Sequence, residues 1–215
     1  AQVTAIYSSR PLDSATLSAK HGGKIKAYQS VEALLADPDI HVVDITSFPS
    51  QHSAQAIAAA QAKKHIILEK PMANTMTEVM QIFEAAEKNG VKGCVCFECR
   101  FSSQMEATKA VIDQGLIGEI HYGEVDYYHG IGPWYGQYRW NTSKENGGSS
   151  LLSAGCHALD ALLLCMGGEV EEVTSYATTS KNKDFAKYEY PTTTTTILNQ
   201  RWTTNMSGSL FSTEW

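Results

Sequence analysis

Apolar and polar positions along the first hundred residues alternate between two periods. Short runs rich in β-branched residues, VTAIYSS, HVVDITS, HIILEK and VKGCVCF, have the pattern of buried strands. Between them lie segments of helical period. LDSATLSAKHGG ends in a glycine stop, and SVEALLADP opens on Ser30 as N-cap. SAQAIAAAQAKK is alanine-rich and therefore helical. NTMTEVMQIFEAAEKNG carries Thr75 and Glu78 at capping-box spacing, an apolar face of Val79, Ile82, Phe83 and Ala86, and Gly90 past its end. KAYQS reads as a brief extended piece. Strands alternating with helices predict a parallel sheet covered on both faces, with ligands at the carboxyl ends of the strands. Three polar clusters follow predicted strands there: Ser8-Ser9-Arg10, Thr46-Ser47 and Glu69-Lys70-Pro71.

After about residue 100 the texture changes. SSQMEATKAVIDQG predicts a helix, and IGEIHYGEVDYYHG an extended run. An aromatic loop over 127–140 holds Tyr127, Tyr128, His129, Trp134, Tyr135, Tyr138 and Trp140. SLLSAGCHALDALLLCMGG predicts an apolar helix, VEEVTSYATT and TTTTTILNQRW alternating strands, and SGSLFSTEW one more. Strands in succession with few helices imply an antiparallel or mixed sheet, hence a second domain over 97–215 after a first over 1–96.

Composition narrows the partners. The chain has 215 residues and a formal net charge of -6. No Lys/Arg block marks a nucleic-acid footprint. No apolar run reaches the roughly 18–20 residues of a membrane helix, and no signal peptide is visible, so neither partner is expected. Cys94, Cys96, Cys99, Cys156 and Cys165 are odd in number, which suits free thiols in a reducing cytoplasm. The cluster CVCFEC invites a metal reading, but no second Cys/His pair sits at ligand spacing, so buried thiols and no metal are expected.

Three segments carry a resemblance: KHIILEKPMANTMTE, FECRFSSQMEATKAVIDQGLIGEI and GGSSLLSAGCHALDALLLCMGG. In order and spacing they resemble the Gfo/Idh/MocA family of NAD(P)-dependent sugar and polyol oxidoreductases. The resemblance covers nearly the whole chain. It implies an α/β protein: a Rossmann-type parallel-sheet domain, then an α/β domain with an open, mainly antiparallel sheet through which subunits pair. No G-x-G-x-x-G occurs. By the resemblance, a leading strand–loop–helix with the pyrophosphate glycines, and a C-terminal segment, are expected to be absent here.

The resemblance also implies roles. Lys70 stabilises the reacting oxygen, His157 takes or gives the proton, and Glu69 approaches the nicotinamide side, with Lys70-Pro71 cis. Ser9 and Arg10 fall where the adenosine ribose is read, and Arg offers a phosphate fork, favouring NADP over NAD. Ser47 and His52 keep places in the cofactor loop, although Phe48 and Pro49 depart from the family's pattern. Ser153 stands where many members carry an acid. Asp160 either orients His157 or caps a neighbouring element. Arg100, Tyr128 and Trp140 are substrate candidates with Ser153 and Asp160, and Lys144 is a further polar one. The aromatic loop suits a sugar face or an interface equally. The function expected is hydride transfer to or from a sugar, polyol or related cyclic alcohol. Alternatives on the same fold are an NAD(P)-binding regulatory protein and an NAD-dependent glycoside-cleaving enzyme.

Overall fold

The structure, a computed structural model, describes residues 2–128 and 139–201. Its first half alternates as the periods predict: β1 (Ala5–Tyr7), α1 (Ser14–His21), β2 (Lys26–Tyr28), α2 (Val31–Leu35), β3 (Val42–Ile45), α3 (Pro49–Gln61), β4 (His65–Glu69), α4 (Met76–Asn89) and β5 (Gly93–Cys96). All ladders among these strands are parallel. They form two sheets rather than the single one expected, β1-β2 and β3-β4-β5. Helix α2, between β2 and β3, packs against β1, β2 and α3.

Local signals explain the boundaries. Ser30 Oγ accepts from the Ala33 N–H at 3.1 Å. Thr75 and Glu78 complete the capping box, and Gly90 closes α4 in the left-handed region at φ 66°. Helix α3 begins at Pro49, earlier than its alanine run, because proline suits the first helical turn. Ala56, Ala59 and Ala60 are fully buried, so α3 lies close against β4 and α4. Leu68 of β4 and Ile82 of α4 complete this core.

The second half contains a 3₁₀ turn over Glu98–Phe101, α5 (Ser103–Asp113), a 3₁₀ turn over Arg139–Thr142, α6 (Lys144–Gly147), a π turn over Leu151–Gly155, α7 (Cys156–Met166), β6 (Glu169–Thr178), a 3₁₀ turn over Lys183–Phe185 and β7 (Thr193–Arg201). Strands β6 and β7 pair antiparallel. Of the extended run expected over 117–130, the described residues 117–128 join no ladder. The strand expected at SGSLFSTEW lies outside the described residues. One expectation is corrected outright. The helical run Lys144–Met166 spans 23 residues and is apolar and long enough to cross a membrane by length and composition, a test that the core helix of a soluble protein also passes.

Candidate active site

The site grows from the end of β4. Ile66 and Leu68 point into the core while the ladder to β5 ends with Glu69 opposite Cys96. The chain must therefore turn at Lys70, and the Lys70-Pro71 peptide is cis, as the resemblance implies. The Glu69 carboxylate accepts from the Lys70 backbone N–H at 3.0 Å, which leaves the ammonium to reach away from the strand. Lys70 Nζ donates to the carbonyl of Ser153 at 3.0 Å, joining β4 to the turn before α7.

That turn is a π turn over Leu151–Gly155. It is the Ser153 carbonyl, not its hydroxyl, that meets Lys70. A Cβ built on Gly155 would lie 3.2 Å from Leu151 Cδ1 of the same helical segment.

His157 is 5% exposed, with Phe97 edge-on at 6.1 Å and Tyr127 tilted over it at 6.0 Å between ring centroids. Its Nδ1 is buried without a hydrogen-bond partner. Its Nε2 faces Glu98 Oε1 at 3.6 Å. Burial first, and then the Lys70 ammonium, push the imidazole below the ordinary histidine pKa, while Glu98, Asp160 and Glu69 pull it partway back. Near neutrality the ring is therefore a neutral base with a cation beside it.

Asp160 does not orient this ring. It is held by Arg100 in a two-point ion pair, Nε to Oδ2 at 2.7 Å and Nη2 to Oδ1 at 2.5 Å. That carboxylate raises the guanidinium pKa, and Arg100 also stacks on Phe97 at 5.8 Å. The pair ties the turn after β5 to α7.

His52 is fully buried, with Nδ1 2.8 Å from the Pro71 carbonyl and Nε2 3.1 Å from that of Ser47. A neutral ring donates to one carbonyl and an imidazolium to both. Either way His52 joins the loops after β3 and β4 from inside. The Ser47 hydroxyl donates to Gln55. Ser9 and Arg10 are exposed beyond β1, and the Arg10 N–H donates to Ser8 Oγ. Tyr128 is 93% exposed, and Trp140 packs on Phe48 at 5.7 Å, so neither touches His157. Lys144 is exposed at the start of α6, its backbone N–H on Glu189. His129, Trp134, Tyr135 and Tyr138 lie outside the described residues. The structure thus gathers Lys70, Ser153 and His157, pairs Arg100 with Asp160 beside them, and leaves Arg10, Tyr128 and Trp140 apart. Sequence reasoning missed Glu98. Its signal was its position directly after β5, at the same kind of strand end as the three polar clusters.

A nicotinamide with its alcohol fits here on one observation. His157 Nδ1 is buried without a hydrogen-bond partner, the Lys70 ammonium donates to the Ser153 carbonyl, and polar strand ends flank both. Lys70 and His157 would hold the reacting oxygen, and Glu69 would lie on the nicotinamide side. No residue described offers a glycine-rich pyrophosphate turn.

Parallel strands with crossover helices, joined to a C-terminal unit that contributes a buried histidine, define a protein of Rossmann type. Residues 1–97 match the GFO_IDH_MocA family, described as "Oxidoreductase family, NAD-binding Rossmann fold", and residues 105–212 match the GFO/IDH/MocA C-terminal domain. The chain belongs to the Gfo/Idh/MocA family. It is similar to trans-1,2-dihydrobenzene-1,2-diol dehydrogenase of Xenopus tropicalis, 31% identical over 80% of this chain and 50% of that protein. It is similar to myo-inositol 2-dehydrogenase of Thermotoga maritima, 30% identical over 70% of this chain and 43% of that one. The fold superposes on the crystal structure of the WlbA dehydrogenase from Bordetella pertussis in complex with NADH and UDP-GlcNAcA. The TM-score is 0.77 at 25% identity, over 92% of this chain and 60% of that one. The chain spans about half the length of these curated relatives.

Proposed function

We propose that the whole protein transfers a hydride between a nicotinamide cofactor and a secondary alcohol of a sugar, polyol or related cyclic alcohol. The observation that carries this is the meeting of Lys70 and the His157 segment, from chain positions 83 residues apart at Lys70 and Ser153. Nicotinamide supplies the hydride acceptor or donor when bound. Lys70 donates a hydrogen bond to the alcohol oxygen and stabilises its negative charge as the carbon–hydrogen bond breaks. His157, neutral and desolvated, takes the hydroxyl proton as the carbonyl forms, and returns it in the reverse direction. Phe97 and Tyr127 exclude water from the ring. The Arg100–Asp160 pair holds α7 in register with β5.

NADP is the preferred cofactor in this reading. Arg10 follows β1 exposed, and Ser8 and Ser9 bring no carboxylate to oppose a 2′-phosphate. The domain division at 96/97, pairing of subunits through the β6–β7 sheet, and a cytoplasmic location complete the proposal. The exposed Val173 and Tyr176 of β6 support the second of these, and five free thiols the third. The test is a screen of cyclic polyols and aldoses with NAD and NADP on the whole protein. Nicotinamide absorbance that changes with at least one of them supports the proposal. No change with any substrate or cofactor, in a protein shown to bind the dinucleotide, would refute it.

A further inference from the structure

We propose that Glu98, Cys99 and His157 form a binding site for one divalent cation of the borderline class that zinc represents, and that its occupancy withdraws His157 from proton transfer. The second half of this statement rests on the function proposed above; the site itself does not.

The three side chains offer a carboxylate oxygen, a thiol sulfur and an imidazole nitrogen that all lie within 4.8 Å of one another. Around tetrahedral zinc, bond lengths of about 2.0–2.3 Å place neighbouring ligand atoms roughly 3.3–3.8 Å apart. Glu98 Oε1 and His157 Nε2 are already 3.6 Å apart. That separation is long for a hydrogen bond and right for two atoms sharing an ion. Neither ring nitrogen is committed elsewhere, since Nδ1 has no partner among the described residues.

The local chain makes the cluster. Glu98 and Cys99 are consecutive at the start of the 3₁₀ turn that follows β5, so one tight turn presents two donors toward α7. His157 is fixed opposite them by burial between Phe97 and Tyr127. Of the charges nearby, the Lys70 ammonium opposes a cation on the ring, while the Glu98, Asp160 and Glu69 carboxylates favour one. Lys70 is tethered to the Ser153 carbonyl, and Arg100 is neutralised by Asp160. Among the described residues no Lys or Arg lies within ion-pair distance of Glu98. The Cys99 thiol is free and half-buried.

A mixed oxygen, sulfur and nitrogen set selects zinc-like ions over magnesium or calcium, which take oxygen. Three protein ligands leave a fourth position for water. Binding displaces the Cys99 proton to solvent and leaves the metal oxidation state unchanged. With the metal on the ring nitrogen, His157 has no lone pair for the substrate hydroxyl. Zinc is thus expected to inhibit reversibly, with activity restored by a chelator.

The probe is cobalt(II) alone, added to the reduced whole protein without substrate. One cobalt per chain with a thiolate-to-cobalt charge-transfer band is expected, displaced by zinc. Cys99→Ala should lose the band and at least tenfold in affinity while keeping its hydride transfer, now insensitive to zinc. Glu98→Gln, at a side chain 69% exposed and so tolerant of change, should weaken cobalt binding with its fold intact by circular dichroism. No band in the wild type, or equal binding by Cys99→Ala, would overturn the site whatever the enzyme activity. A Cys99-dependent band together with undiminished turnover at saturating zinc would overturn the link to His157.

Discussion

At the scale of single residues, the acid expected at position 153 is absent, and a carboxylate arrives from another element. Ser153 contributes only a carbonyl, to Lys70, whereas Glu98 faces His157 Nε2 at 3.6 Å. A carboxylate there stabilises the imidazolium and raises its pKa. Glu98→Gln therefore lowers the pKa of His157. Alcohol oxidation needs the neutral ring, so the acid limb of kcat/KM moves to lower pH in this variant. A limb that stays in place would show that Glu98 does not reach the working histidine. Arg10 carries a second prediction. Hydrogen bonds to charged groups contribute about 1.5–3 kcal/mol, so Arg10→Ala weakens NADP by roughly ten- to a hundredfold and NAD little. Equal losses for the two cofactors would remove the phosphate role. Lys70 and His157 were legible in the chain because each sits in a motif. The Arg100–Asp160 pair and the Glu98–His157 approach were not, because they join residues about 60 apart that only the packing of α7 against the turn after β5 brings together.

Elements were legible where local chemistry decides them. The α4 capping box, its glycine stop and the serine cap of α2 all form as their spacing predicts. The π turn before α7 was not legible, since nothing in LLSAG distinguishes it from an α-helix. The described residues 117–128 of the extended run join no ladder: a strand pattern specifies a face, and a ladder also needs a partner. The diglycine before α7 shows how packing fixes a residue type. A Cβ on Gly147 would lie 2.6 Å from the Asn141 carbonyl oxygen and 3.0 Å from Tyr190. Gly147→Ala should therefore cost about 1–3 kcal/mol through overpacking, read as a lower denaturation midpoint. An unchanged midpoint would mean that the α6 turn is free to yield.

For the whole molecule, the alternation of periods was enough to predict parallel strands with crossover helices, then a second unit. It did not foresee that the strands divide as β1-β2 and β3-β4-β5, because periodicity carries no information on which strands are neighbours. The two halves meet where the site is. Lys70 reaches Ser153, Asn74 Nδ2 donates to the Glu145 carbonyl at 2.7 Å, and Ser50 donates to Asn146 at 2.6 Å. In the function proposed above, hydride transfer depends on this junction and not on either half alone. The most direct test is kcat/KM of the whole protein for an accepted polyol in four forms: wild type, Lys70→Ala, His157→Ala and the double variant. Groups that act on one oxygen as a unit give losses that do not multiply. Each single change is expected to lose about 10²–10⁴-fold, with the double variant little worse than the poorer single one. Single variants that match the wild type would contradict the central claim that Lys70 and His157 share the reacting oxygen.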